Sequence, residues 1–414
     1  EFTIRLEAEQ RVSDNLGTDT ISAFARSTAL VNGGYVVTWT SSQADAAGYE
    51  VHGRVFSESG TPIGEELVIN ATSSGDQWLS SAAGLNDGSF VVVWLSTDQD
   101  GSGEGIFGQR FDESGVPVGD EFQLNTETDG HQSLPDVAAL NDGGFVAVWY
   151  SYGQDGDQGG IFAQRFSQDG TPSGSEFQVN THTAGQQIWP TVTVLTDGSF
   201  VVSWQSALQD GDLFGIYGQR FNADGTPLGA EFQINTHTAS EQGEPSITAL
   251  EDGGFVVTWQ SFDQDGAFWG AYGQKYNADG SAAGGEFQIN TATEYNQYWV
   301  SVSGLQDGGF VATWTSYGQD GSGASIHGQK YAADGSTVGG EFQVNTQWIY
   351  HNQMYPDVVG LEDGGFAISW HSYGQVNTPD GFEIYSQLFD AEGNKVIRTI
   401  FDGGDGDDTL NLSA

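Results

Sequence analysis

The chain has 414 residues, with 56 acidic against 11 basic side chains, a formal net charge of −45, no cysteine and 60 glycines. That balance excludes a nucleic-acid binder working by phosphate neutralisation, and it repels anionic membranes and polysaccharides unless a cation intervenes. The missing cysteine removes disulfides, thiolate metal sites and thiol nucleophiles, while 12 Trp and 25 Phe supply the apolar surface that a disordered chain lacks. No apolar run is long enough to span a membrane, and no charged-then-apolar leader opens the sequence.

In chain order, the opening Glu1-Phe2-Thr3-Ile4-Arg5 reads as a strand, and from Leu30 onward one unit recurs. The segment Leu250-Glu-Asp-Gly-Gly-Phe-Val-Val-Thr-Trp259 has counterparts beginning at Leu30, Leu85, Leu140, Leu195, Leu305 and Leu361, spaced by 55 residues and finally by 56. The matching tryptophans are Trp39, Trp94, Trp149, Trp204, Trp259, Trp314 and Trp370. Around Leu250 the pattern predicts four strands: a at Ser246–Leu250, b at Phe255–Ser261, c at Gly270–Tyr276 and d at Glu286–Asn290. The Asp-Gly-Gly and Ala-Asp-Gly links are hairpin signals. Strand b is apolar on both faces, with Phe255, Val257 and Trp259 on one and Val256 on the other, so it needs cover from both sides.

Seven such units predict an all-β fold, a seven-bladed β-propeller with four antiparallel strands per blade. Its aromatic residues then pack between blades. The propeller takes residues 1–401, and residues 402–414 are left as a tail. Lys395–Phe401 falls where the last strand d belongs, and Glu1-Phe2-Thr3-Ile4-Arg5 matches the repeated Glu-Phe-Gln-Ile-Asn, so one of the two is expected to close the ring.

The tail contains Gly403-Gly404-Asp405-Gly406-Asp407-Asp408-Thr409-Leu410-Asn411, which resembles the repeats-in-toxin (RTX) nonapeptide at every defined position. The propeller repeat is similar to arrays found beside RTX repeats in large secreted calcium-binding proteins of bacteria. The resemblance implies calcium binding in the continued repeat, export by a C-terminal signal, an extracellular location, and a module cut from a longer protein. The absent N-terminal leader and the zero cysteine count agree with it.

In a propeller the b–c and d–a loops share one face, and here those loops carry the variety. Gln43, Gln99, Gln154, Gln209, Gln264, Gln319 and Gln375 follow the tryptophans, with Asp45, Asp100, Asp155, Asp210, Asp265 and Asp320 beside them in six blades. The d–a loops add Gln77, Gln132, Gln187, Gln242, Gln297 and Gln353. These amides and carboxylates either satisfy backbone groups at the turns or form repeated sites for sugar or Ca²⁺. Asp98, Asp100 and Glu104 in one loop, and Asp263 and Asp265 in another, have the alternate-oxygen spacing that hard cations favour; solvated acidic turns explain the same pattern. No organic cofactor is implied.

Departures from the repeat carry more information. The loop into the seventh unit holds Trp348, Tyr350, His351, Gln353 and Tyr355, and that unit adds His371, Tyr373, Asn377 and Asp380. The loop before the sixth holds Tyr295, Tyr298 and Trp299. Trp78, His131, Tyr152, Trp189, Phe214, Phe262, Trp269 and Tyr317 lie on the same predicted face. Aromatic faces with fixed polar groups suit a saccharide, the rings covering its C–H faces.

Three functions follow. A carbohydrate-binding module would use Trp78, Trp189, Tyr295, Tyr298, Trp299, Trp348 and Gln353, with repetition supplying avidity. A polysaccharide lyase would use His351, Tyr350, Tyr355, His371 or Tyr373 to take a proton, and a glycoside hydrolase would draw a pair from Glu241, Glu244, Glu294, Asp357 and Asp380. An adhesion or scaffold domain is the third. Arg110, Arg165, Arg220, Lys275 and Lys330 recur in strand c and are expected to pair with the glutamate opening strand d. No Gly-x-Ser-x-Gly elbow or phosphate-cradling loop occurs. The fragment is expected to be monomeric, with a polysaccharide or glycan as partner and neither nucleic acid nor membrane insertion.

Overall fold

The computed structural model describes residues 3–7, 9–13, 21–42, 48–321, 323–346, 351–373, 381–402 and 407–408. Among them every regular element is a strand, and none is a helix able to cross a membrane. Each of the first six repeats folds into an antiparallel arrangement whose four strands follow chain order. Around Leu250 they are Gln242–Ala249, Phe255–Phe262, Trp269–Tyr276 and Phe287–Gln288. The inner strand starts at Gln242, earlier than the predicted Ser246, because a β-bulge carries it past a register shift between the pairs Gly243–Gln260 and Ser246–Thr258.

Five repeats form separate four-stranded sheets, while the first and last share a larger one through a single parallel pair, Phe382 with Ile21. Inner strands of successive repeats touch, and the last, Gln353–Gly360, touches the first, Ile21–Ala29. Between neighbouring sheets lie the seven repeat tryptophans, Trp39 to Trp370, all at 0% exposure. Trp149 packs with Leu85, Val91 and Val93 of the preceding repeat. Within each repeat the aromatic that opens strand b stacks on the one that ends strand c, as in Phe255 on Tyr276 with ring centroids 4.6 Å apart.

Neither candidate closing segment takes the outer place of the last sheet in the expected way. Glu9–Arg11 does, with Gln10 opposite Ser386 and Arg11 opposite Tyr385. Val12 N–H donates to the Ile384 carbonyl at 2.8 Å, and Ile384 N–H donates to Ser13 Oγ at 3.2 Å. These bonds reproduce Ile289 N–H to the Ala271 carbonyl and Ala271 N–H to Asn290 Oδ1. Lys395 and Val396 add only the first rungs, where Val396 N–H reaches the Leu388 carbonyl at 2.9 Å. Thr3–Glu7 instead pairs with Arg398–Asp402, which pairs with Asp407–Asp408, in a separate small sheet. The rest of the RTX-like tail lies outside the described residues.

The Glu9 carboxylate accepts the Thr346 amide and, at 3.2 Å, its hydroxyl, which ties the N-terminal segment to the sixth repeat. Glu9→Ala leaves that amide without its acceptor. It is expected to cost about 1–3 kcal/mol, read as a lowered thermal midpoint; an unchanged midpoint would show that this contact does not hold the N-terminal segment in place.

The recurring bases also pair differently from expectation. Arg110 meets Asp87 at 3.5 Å, Arg165 meets Asp142 at 3.1 Å, and Lys275 and Lys330 meet Asp252 and Asp307 at 3.0 Å. Arg220 bonds the Ala278 carbonyl of the next repeat at 2.9 Å. The register is the reason: Arg165 lies opposite Val146, next to the a–b turn that carries Asp142. The glutamates opening strand d serve another purpose. Glu231, for example, accepts Gln209 Nε2 at 2.6 Å and, from the preceding repeat, the Thr181 amide at 2.6 Å.

Candidate functional site

The bulge in each inner strand is where the repeats converge. It turns one residue per repeat into the left-handed region: Phe24, Leu79, Leu134, Trp189, Glu244, Trp299 and Tyr355, with φ from 51° to 58°. None is glycine, so each carries a conformational cost of about 1–3 kcal/mol. A side chain of the preceding repeat holds several of these bulges. Glu244 N–H donates to Gln205 Oε1 at 2.9 Å, Trp299 N–H to Gln260 Oε1 at 3.0 Å, and Leu79 and Tyr355 N–H to Thr40 and Thr315 Oγ1 at 3.2 Å. Proline follows the bulge residue at Pro135, Pro190, Pro245 and Pro356. It is tolerated there because the inner strand is a sheet edge.

All seven bulge residues line one central cavity of about 300 Å³. Its rim is mostly aromatic, and Trp299 stacks on Tyr355 with centroids 3.4 Å apart. The layer below is polar. Arg26 Nη1 lies 3.5 Å from Asp357 Oδ1, and the same carboxylate accepts the Ser27 amide at 2.6 Å and the Ser301 hydroxyl at 3.0 Å. Asp136 accepts the Ser81 hydroxyl at 2.7 Å and the Val192 amide at 2.8 Å. A second cavity of about 350 Å³ continues from these residues among Ser, Thr and Val side chains.

Glu244 is the one acid in the rim. Its carboxylate makes no hydrogen bond or ion pair among the described residues, and burial, helped by the neighbouring Glu241, pushes its pKa up to about 7 against the pull of Arg26. Burial likewise raises Asp357, opposed chiefly by Arg26 and the Ser27 amide, and lifts Tyr355 to about 12, with Glu244 adding to the rise.

Of the residues singled out from sequence, Trp189, Glu244, Trp299, Tyr355 and Asp357 line this cavity. Tyr298 stands edge-on to Trp299 at 4.3 Å. Tyr295 is exposed farther out, and Trp78, one residue before Leu79, is half-buried outside the lining. His351 meets Tyr373 edge-on at 6.3 Å, also outside the lining.

Two expectations need correction. His371 does not face the cavity. It is buried behind Tyr355, ring centroids 4.7 Å apart, with neither ring nitrogen hydrogen-bonded among the described residues, and burial drops its pKa to about 3. A histidine held neutral that far below its usual range is a poor proton acceptor. Gln353 is fully buried and accepts Asn345 Nδ2 at 3.0 Å, so it serves the fold and does not reach a ligand. The other d–a glutamines behave alike; Gln187 accepts Asn180 Nδ2 at 3.1 Å.

The acidic loops show turn chemistry. Asp100 accepts the Ser102 amide at 3.1 Å, and Asp265 accepts the Ala267 amide and Gln288 Nε2, both at 3.2 Å. Asp98 and Asp263 are exposed at left-handed turn positions, and Glu104 lies 3.5 Å from His131. Among the described residues no group of three or more His, Asp or Glu side chains is placed to hold a metal. Trp348, Tyr350, Gln43, Asp45, Gln375, Asn377 and Asp380 lie outside the described residues.

Sequence reasoning missed Phe24, Leu79, Leu134, Arg26 and Asp136. A signal was present: the position six residues before each repeat leucine reads Phe, Leu, Leu, Trp, Glu, Trp, Tyr, a variable column inside a regular strand.

No protein-family model matches the chain, and no curated protein does. Solved structures resemble it at low identity. A Dyadobacter fermentans protein of unknown function has a TM-score of 0.56 at 10% identity, over 93% of this chain and 98% of that one. The NanB sialidase of Streptococcus pneumoniae has 0.52 at 8%, over 92% and 70%. An α-L-arabinanase of Penicillium chrysogenum complexed with arabinobiose has 0.51 at 13%, over 76% and 94%. At such identities the likeness establishes the fold, a β-propeller, and nothing more specific.

Proposed function

We propose that the chain forms a seven-bladed propeller, closed by Glu9–Arg11 against Phe382–Phe389, whose central cavity binds a saccharide. The observation that carries this reading is the rim: seven strained residues, four of them aromatic, all lining one cavity. Strain repeated at one position with bulky side chains is poorly explained by folding alone. Aromatic faces above a layer of fixed carboxylates and hydroxyls match the C–H faces and hydroxyls of a sugar ring. Two of the similar folds are named as a sialidase and an arabinanase, which agrees with a carbohydrate ligand. The nonapeptide at 403–411 supports placing the module in a secreted RTX-type protein.

Glu244 favours a second reading, glycoside hydrolysis, because a carboxyl that keeps its proton up to about pH 7 can serve as a general acid. A lyase has less support, since His371 is buried and Tyr355 is pushed away from the range of a useful base.

A panel of neutral, amino and uronic oligosaccharides titrated into the protein tests the site. Trp189→Ala and Trp299→Ala are each expected to weaken binding about tenfold. Binding untouched by both changes would remove the cavity from the function. New reducing ends in the same samples would decide for hydrolysis, and bound oligosaccharide recovered intact would decide for a binding module.

A further inference from the structure

The cavity has a charge pattern that narrows its ligand. Trp189, Glu244 and Trp299 come from three consecutive repeats, so the acid sits in the rim between two indoles, with Phe24 and Tyr355 completing the aromatic wall. The Glu244 carboxylate has no partner among the described residues, whereas the cation of the lining, Arg26, already lies against Asp357. The ionisable groups around Glu244 are Glu241 ahead of its own strand, Arg26 and Tyr355 from other repeats, and Asp136 and Asp357 in the layer beneath. Acids outnumber the single base, and the whole chain, at −45, draws cations toward any opening.

Aromatic faces attract cations through their quadrupole, and a desolvated carboxylate beside them adds a direct counter-charge. An anionic sugar meets the opposite: it would confront Glu244, Asp136 and Asp357 with only Arg26 in its favour. An uncharged sugar covers the half-buried Glu244 without giving it a partner, the costly state for an ionised group.

We propose that the cavity takes an amino sugar, its ammonium group seated between Trp189 and Trp299 against the Glu244 carboxylate. This rests on the saccharide reading and specifies the class of sugar. Binding a fixed cation favours ionised Glu244, so at neutral pH complex formation releases a proton from that residue, and affinity for a non-titrating cation rises with pH through about 7.

Calorimetric titration of the intact chain with glucosamine oligomers, their N-acetylated counterparts, neutral glucan oligomers and tetramethylammonium tests the assignment. The glucosamine oligomers are expected to bind about tenfold more tightly than the N-acetylated ones. Tetramethylammonium should bind with a rising pH profile, and buffers of different ionisation enthalpy should report the released proton. In Glu244→Gln, which keeps the shape of the side chain, the amine preference and the pH profile should both disappear; if either persists, the assignment to Glu244 is wrong. Equal binding of glucosamine and neutral oligomers overturns the amino-sugar assignment and leaves the saccharide reading standing. Binding of tetramethylammonium with no sugar bound overturns the saccharide reading, and with it the amino-sugar assignment.

Discussion

Trp259→Ala is expected to destabilise the protein by about 3–5 kcal/mol, the cost of emptying a large aromatic site that cannot collapse. Trp259 is fully buried and packs with Leu195, Val201, Ile216 and Ile234 of the preceding repeat as well as Ile247, Phe255, Val257 and Tyr272 of its own. Its removal therefore loosens two sheets at once. The indole Nε1 has no hydrogen-bond partner among the described residues, so the ring contributes through apolar contact. Trp259→Phe, which keeps much of that contact, is then expected to cost clearly less than alanine. Equilibrium denaturation of both variants checks the order. Equal losses would mean that the indole does not act through packing area.

Glu244→Gln is expected to stabilise the protein at alkaline pH. The folded chain holds the Glu244 proton up to about pH 7, whereas the unfolded chain releases it near the ordinary value of 4.5. Between those limits the folded state binds more protons, so stability falls as pH rises, by about 3 kcal/mol at most, and the loss is complete above the upper limit. Glutamine carries no such penalty. Thermal midpoints of wild type and variant should coincide near about pH 4 and diverge in favour of the variant above about pH 7. Parallel profiles would show that Glu244 titrates normally and is not desolvated in the rim. A stabilising change that removes the preference for an amine ligand is the signature expected of a residue kept for function.

Much of the architecture was legible in the chain. A spacing of 55 residues, a tryptophan in each unit and Asp-Gly turns at fixed offsets define the strands, because hairpin turns and two-faced apolar strands are written in neighbouring residues. The outer strand of the last sheet was harder. Glu1-Phe2-Thr3-Ile4-Arg5 has the aromatic and apolar positions of strand d, yet Glu9-Gln10-Arg11-Val12-Ser13 takes the place. What qualifies that segment is a glutamate that reaches Thr346 and a Ser13 oxygen that accepts the Ile384 amide, partners hundreds of residues away. The paired bases misled for a similar reason, since cross-strand register, not charge order along the chain, put Arg165 beside Asp142.

The candidate site divides the same way. Aromatic departures from the repeat drew attention to Trp189, Trp299 and Tyr355, while His371 and Gln353 stood out equally and are buried. By itself the sequence determined an all-β repeat with a variable loop face, since period, turn chemistry and apolar alternation are local properties of the chain. Only the tertiary structure decided which side chains share a cavity. Phe24, Glu244 and Tyr355 meet there because a bulge in each inner strand turns one residue toward a centre that no single repeat contains. The burial that holds the proton on Glu244 is likewise a property of that assembled centre.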